Sequence, residues 1–341
     1  MSRKSKIILF LVGIAIFTYL VLDFGIDNII NNFHKTGWYF VPVVGIWAFV
    51  YLFNAFAWRL IIGNSKQQIS FSKIISVTIS GFALNYITPS IAVGGEPYRI
   101  IELKELLGTS RAISVTLLYT MIHILSSFVF WILVILLAFV MMSLTLVTRI
   151  ILTFILLFFS AVVYFFITRH KKGFIKSLLS IILKIPLIRK FAAPLNSKTE
   201  LLQKVDDQVT ELYLKRKSDF YLALIWETFA RVFASLENLF ILKAIGINIS
   251  FQEALYINAV SSFIINIFFF MPIELGSREG GLILVLKTIG ITPSFGIYLG
   301  LVNRIRELFW ILIGLVFIAL SGKKINKELI TESNYEESTI V

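Results

Sequence analysis

Thr88-Pro-Ser-Ile-Ala-Val-Gly-Gly-Glu-Pro-Tyr-Arg99 places Pro89, Gly94, Gly95, Pro97 and the charges of Glu96 and Arg99 inside apolar sequence. Each ionised side chain at the centre of a bilayer costs at least ~2.5 to 3.5 kcal/mol, so such residues face a protein cavity and are functional by default. Broken backbone at that depth is tolerated only where protein or a water-filled cavity takes up the freed N–H and C=O groups. The stretch therefore reads as the tip of a re-entrant hairpin that lines a polar site.

A second stretch follows the same plan. Ile69-Ser-Phe71 opens the apolar run that leads to Pro89, and Ile249-Ser-Phe251 opens the run that leads to Pro272. From each proline six residues intervene before a glutamate, Glu96 in the first case and Glu279 in the second. Glycines flank both glutamates (Gly94 and Gly95; Gly276, Gly280 and Gly281), and an arginine stands near each, Arg99 and Arg278. The match is short, but it predicts an internal repeat.

Composition places both stretches in a membrane. Hydrophobic residues make up 57% of the 341 and charged residues 15%, with a mean hydropathy of +0.86, which excludes a soluble domain. The absence of cysteine removes disulfides, thiolate metal sites and cysteine nucleophiles. The three histidines, His34, His123 and His170, are far apart in sequence, so neither a metal nor any other cofactor is expected. The net charge of +12 sits mostly in loops. There it follows the positive-inside rule and points to anionic lipid as partner, with no role for nucleic acid.

Taken in order, Arg3, Lys4 and Lys6 precede a retained first span, 7–22, that starts in the cytoplasm. Val41–Ile62 returns to the cytoplasm, ringed by Trp38, Tyr39, Trp47 and Trp58 as interfacial anchors. Ile74–Ile87 measures only about 21 Å as helix, against a hydrocarbon core of ~30 Å, and so turns back as a hairpin arm. Ala112–Met142 then crosses outward and Ile150–Ile167 inward. The segment 169–217 is rich in Lys and Arg and carries Leu201, Leu202, Val205, Val209 and Leu212 at helical spacing, the pattern of an amphipathic helix on the cytoplasmic side. Asp219–Ile245 crosses outward; a second hairpin has the arms Phe251–Phe270 and Leu282–Ile289; Pro293–Leu320 crosses inward. A polar tail from Glu328 is expected to lack fixed structure.

The expected fold is an all-α polytopic membrane protein with about six full spans and two re-entrant helical hairpins in an inverted-topology repeat. Its parts are 1–40 (first span and external loop), 41–141 (first repeat), 142–217 (connecting span and basic segment), 218–322 (second repeat) and 323–341 (cytoplasmic tail). Inverted repeats with broken helices meeting near the midplane are the architecture of secondary transporters. Further charges fall at membrane depth. Glu227 and Arg231, four residues apart, are expected to neutralise each other. Arg304, Arg306 and Glu307 lie well inside the last span, where a purely structural role is hard to sustain. Asn85, Glu237, Asn266 and Asn303 are expected to bridge helices.

Gly94-Gly-Glu-Pro-Tyr-Arg99 after a proline-bearing helix, and Met271-Pro-Ile-Glu-Leu-Gly-Ser-Arg-Glu-Gly-Gly281, resemble the paired signatures of the lysylphosphatidylglycerol synthase transmembrane (flippase-like) family over roughly 7–322. The second departs from that family's commoner Pro-Gly-Gly-Leu-Gly-x-x-Glu form, with Ile273 and Glu274 where glycines are usual. The resemblance implies lipid translocation, residence in the bacterial inner membrane with both termini cytoplasmic, and resistance to cationic antimicrobial peptides. It does not carry over lysyl transfer, which the family performs in a separate soluble domain.

Two functional classes follow. In the first, the protein moves a phosphate-bearing amphiphile such as a phospholipid, an aminoacyl-phospholipid or a polyprenyl phosphate. Arg99, Arg278 and Arg304 bind the phosphate bidentately, while Glu96, Glu279 and Glu307 hold those arginines or bind a cationic group. Pro89, Gly94, Gly95, Pro272, Gly276 and Gly280 shape the tips. In the second, the protein is a lipid-modifying enzyme with Glu96 or Glu279 as general base. No nucleophile and base stand at motif spacing, which favours transport; a non-catalytic accessory role is the remaining alternative.

Overall fold

The computed structural model describes residues 18, 22, 26–63, 68–88, 94–142, 144–169, 199–268, 274 and 276–338. Both tip prolines, Pro89 and Pro272, lie outside these residues, as do most of the expected first span and the basic stretch 170–198. Among the described residues the protein is wholly helical: α1 (Ile26–Thr36), a 3-10 turn (Gly37–Tyr39), α2 (Phe40–Ile62), α3 (Phe71–Ile87), α4 (Gly95–Leu107), α5 (Thr109–Met141), α6 (Leu146–Arg169), α7 (Thr199–Lys215), α8 (Lys217–Ala234), α9 (Leu236–Ala244), α10 (Phe251–Ile267), α11 (Ser277–Thr288) and α12 (Phe295–Ser338).

Among the described residues three segments are long and apolar enough to cross a membrane by themselves, His34–Ile62, Thr109–Met141 and Leu146–Thr168. The expected crossing Asp219–Ile245 is not one rod. It divides at Ser235 into α8 and α9, because Ser235 Oγ donates to the carbonyl of Arg231 (3.1 Å) and the Asn258 amide donates to that carbonyl and to Ser235 Oγ (3.0 and 2.9 Å). Side chains that take up a helix carbonyl in this way bend or break the ladder. The tail also differs from expectation: α12 continues to Ser338, on a sequence that carries Lys323, Lys324, Lys327, Glu328, Glu332, Glu336 and Glu337, good helix formers.

The two first arms, α3 and α10, are each 17 residues long. Each starts after the serine of an Ile-Ser-Phe triplet. Ser70 Oγ accepts from the N–H of Lys73 (3.4 Å), and Ser250 Oγ accepts from the N–H of Glu253 (3.3 Å). The Ser70 cap lengthens the first arm beyond the apolar run alone, while the second ends three residues before Phe270. Each arm measures about 25 Å, still short of a ~30 Å hydrocarbon core.

The two arms pack in different parts of the core. Lys73 on α3 pairs with Glu102 on α4, which also accepts from Ser321 Oγ on α12 (3.0 Å). Ile245, Ile247 and Ile249 of the loop before α10 pack against the second core cluster, as do Met142, Leu144, Ile289 and Ile291. The core is correspondingly split. One cluster gathers Trp58, Tyr119 and the first hairpin with Ile311 and Leu315, and a second gathers Phe130, Trp131 and the second hairpin with Leu299 and Val302. Helix α12 passes through both. Where it meets α3, a Cβ on Gly314 would stand 2.4 Å from Ala83 Cβ, so a small residue is required there for the helices to touch. Phe154, Leu157 and Phe158 on α6 are exposed, as lipid-facing residues are.

Candidate functional site

In the first hairpin the backbones of α3 and α4 cross so closely that a Cβ on Gly95 would lie 2.2 Å from the carbonyl oxygen of Gly81. Asn85, the last polar residue of α3, secures the crossing. Its Oδ1 accepts from the N–H of Gly95 (2.7 Å), and its Nδ2 donates to Glu96 Oε1 (3.3 Å). It bridges helices as expected, and it satisfies one of the orphan donors at the start of α4. Arg99 Nη1 donates to the same Glu96 oxygen (3.4 Å). The Arg99 guanidinium is 2% exposed and lies over the rings of Phe82 (4.8 Å), Tyr119 (5.1 Å) and Trp58 (5.6 Å). Three aromatic faces offset part of the cost of burying that charge.

In the second hairpin Gly276 adopts φ +77°, and Glu274 adopts φ +54°, the left-handed region that disfavours a side chain. Glu274 lies at one of the positions where the resembled motif has glycine. Its carboxylate accepts from Arg278 Nε (3.1 Å) and from Arg278 Nη2. Arg278 Nη1 meets Glu307 Oε1 at 2.7 Å, so one guanidinium is held by two carboxylates, one on its own hairpin and one on α12. Glu279 does not pair with its neighbour Arg278. It accepts from the N–H of Gly276 (3.0 Å) and from Arg304 Nε and Nη2 (2.9 and 2.7 Å). Arg306 lies between Glu237 (3.3 Å) and Glu307 (3.7 Å), with its guanidinium 3.8 Å from the centre of the Trp47 ring.

These groups converge on a cavity of about 280 Å³. Tyr86, at the end of the first arm, lines it together with Glu274 and Arg278 of the second hairpin, so both hairpins face one space. Of the six charged residues singled out in the sequence, Arg278 and Glu307 line this cavity; Glu96, Arg99, Glu279 and Arg304 are paired beside it. Glu237, Asn266 and Asn303 line it too. Glu237 bridges helices through Trp47 and Arg306, whereas the Asn266 amide donates to Ser262 of its own helix, which corrects the bridging role expected for it. Gly280 faces open space and shapes nothing by close approach.

The pairing expected of Glu227 with Arg231 is also corrected. Glu227 Oε2 is 2.7 Å from His123 Nδ1 on α5. Arg231 instead donates through Nε to Ser126 Oγ (2.9 Å) and through Nη2 to the carbonyl of His123 (2.7 Å). Both residues lie on the α8 face packed against α5, so each finds its partner across the interface. Sequence reasoning missed His123 as a site residue, although its place in the middle of a long apolar helix was a signal for it. Among the described residues no cluster of His, Asp or Glu is arranged to hold a metal ion.

The family described as the lysylphosphatidylglycerol synthase TM region matches residues 6–314. The UPF0104 membrane protein MJ1595 of Methanocaldococcus jannaschii is 23% identical, over 95% of this chain and 97% of the relative. No solved structure matches the chain.

Proposed function

The chain belongs to the lysylphosphatidylglycerol synthase TM-region family, and on that premise we propose that it is a flippase-like transporter of a lipid with a phosphate-bearing headgroup. The observation that carries this reading is Arg278, a buried guanidinium shared by Glu274 and Glu307 on the wall of a cavity faced by both hairpins. A volume of about 280 Å³ is just below the ~300 Å³ at which small-molecule sites begin. It has room for a headgroup, while the acyl chains stay in lipid.

In this reading the two hairpins enter from opposite leaflets, and 41–141 and 218–322 are the halves of an inverted repeat. An entering phosphate replaces Glu307 on Arg278 and exchanges one charge-assisted pair for another. The site then needs no naked charge at any stage, which matters because removing one partner of a buried pair costs about 3–5 kcal/mol. Both ends of the chain lie in the cytoplasm, where 169–217 meets anionic lipid.

The test is translocation of fluorescently labelled phosphatidylglycerol in proteoliposomes, read by dithionite quenching of the outer leaflet. Arg278→Gln is expected to lower the rate at least tenfold and Arg278→Lys to restore part of it, since Lys supplies the charge without the fork. Wild-type rates in Arg278→Gln would remove the proposal. Lipid mass spectrometry of a deletion strain separates the enzymatic alternative, in which a lipid species disappears, from transport, in which only leaflet exposure changes.

A further inference from the structure

We propose that His123 and Glu227 form a proton-binding site whose occupancy licenses entry of an anionic headgroup, so that the transporter carries a proton together with its lipid. The functional half of this inference rests on the transport reading above; the proton site itself does not.

Glu227 is 0% exposed, whereas the His123 side chain is 33% exposed, and both line the cavity. The imidazole is therefore the group that takes up a proton from the cavity, with the buried carboxylate as its counter-charge. Uptake at Nε2 gives an imidazolium whose Nδ1–H donates to Glu227 Oε2; release from Nε2 to water on the other side restores the neutral ring. No bond other than N–H forms or breaks.

The remaining groups around the pair leave this role to it. From α8, Arg231 commits its donors to Ser126 Oγ and the His123 carbonyl. From α5, the Tyr119 hydroxyl lies beside the Glu227 carboxylate. From α4, Arg99 stands behind the rings of Tyr119 and Phe82. Tyr86 faces the cavity from α3, and beyond it Arg278 and Arg306 are held by Glu274, Glu307 and Glu237.

Charge balance gives the proton its consequence. The cavity is lined by four carboxylates (Glu227, Glu237, Glu274 and Glu307) and three guanidinia (Arg231, Arg278 and Arg306), a net charge of −1 while His123 is neutral. An anionic headgroup is then repelled. A proton on His123 brings the lining to zero, and by linkage the headgroup raises proton affinity by the same factor as the proton raises headgroup affinity. One unit charge within about 8 Å in a protein interior makes that factor on the order of tenfold or more.

The experiment uses full-length protein in nanodiscs. Because the chain has three histidines, ring-labelled histidine NMR with His123→Gln for assignment reads the site without any lipid. The His123 ring is expected to change protonation state within the pH range over which the protein stays folded, with its midpoint moved by Glu227→Gln. A ring that keeps one protonation state across that range, as a purely helix-bridging pair would, overturns the proposal.

The second readout is binding of short-chain phosphatidylglycerol, with short-chain phosphatidylcholine as neutral control. Wild-type affinity for the anionic probe is expected to fall about tenfold or more as pH rises through the His123 midpoint. Glu227→Gln holds the acid-side affinity at high pH, and His123→Gln holds the alkaline-side affinity at low pH. Equal pH dependence in wild type and both variants overturns the coupling. Titration of His123 with no binding of either lipid leaves the proton site standing and refutes the transport reading instead.

Discussion

Replacement of Glu274 separates two effects that the second hairpin holds in opposition. At φ +54° a residue with a side chain carries about 1–2 kcal/mol of backbone cost, which glycine removes. The Glu274 carboxylate, 31% exposed, in turn supplies half of the neutralisation of Arg278, which is 8% exposed at its side chain. Its loss falls between the ~1 kcal/mol of a surface pair and the 3–5 kcal/mol of a fully buried one, and Glu307 remains to hold the guanidinium. We take it as about 2 kcal/mol. Glu274→Gln loses the pair and keeps the strain, so it is expected to be destabilised by about that amount. Glu274→Gly loses the pair and the strain together, so it is expected within about 1 kcal/mol of wild type. The two variants should differ by roughly 2–4 °C in unfolding midpoint, followed by tryptophan fluorescence in detergent. Glu274→Gly unfolding below Glu274→Gln would refute the claim that strain at this position is held in place by the Arg278 pair.

Two further outcomes follow from the same geometry. Gly95→Ala drives a Cβ to 2.2 Å from the Gly81 carbonyl, a backbone atom that cannot give way, whereas Gly280→Ala meets nothing within 4 Å; size-exclusion chromatography should show loss of monodisperse protein for the first and a normal profile for the second. For topology, Lys215→Cys and Asn248→Cys in this cysteine-free chain, both at exposed positions, should react with an impermeant maleimide from opposite faces of the membrane. Labelling of both from one face would remove the inverted repeat.

The local features were legible in the sequence because they rest on neighbouring residues. Ser70 and Ser250 cap helices that begin where the Ile-Ser-Phe triplets put them, and Gly94-Gly-Glu marks the start of α4. What escaped was partner choice. Arg278 and Glu279 are adjacent in sequence, yet on a helix adjacent residues point about 100° apart, and each finds its counter-charge on α12, Glu307 for one and Arg304 for the other. Glu227 and Arg231 have the spacing of an intrahelical pair, but α5 offers both of them closer partners in His123 and Ser126. The break at Ser235 was invisible for the same reason, since the Asn258 amide that helps cause it comes from another helix.

The distribution of these pairs bears on how the proposed transporter would move. Glu307 meets both Arg278 on α11 and Arg306 on its own helix, and Arg306 continues the chain to Glu237 on α9. The second hairpin is thus tied to the long helix α12 through two ion pairs, Arg278–Glu307 and Glu279–Arg304, and in the first of them the carboxylate is shared by two guanidinia. Such a tie is strong while both partners are in place, and a competing anion dissolves it at small net cost, because the displaced Glu307 still has Arg306. A headgroup phosphate on Arg278 would undo one of the two ion pairs between the second hairpin and α12, leaving Glu279–Arg304 and the tie of α12 to α9 in place. That difference in contacts between the empty and occupied cavity is the differential interaction any ligand-driven change of state requires. Glu307→Gln is therefore expected to loosen the hairpin without lipid: hydrogen exchange of the α11 amides should rise severalfold, while α3 and α4 in the first hairpin exchange as in wild type. Equal protection of α11 in wild type and Glu307→Gln would show that the Glu279–Arg304 pair and apolar packing against Leu299 and Val302, not the shared carboxylate, hold the second hairpin in place.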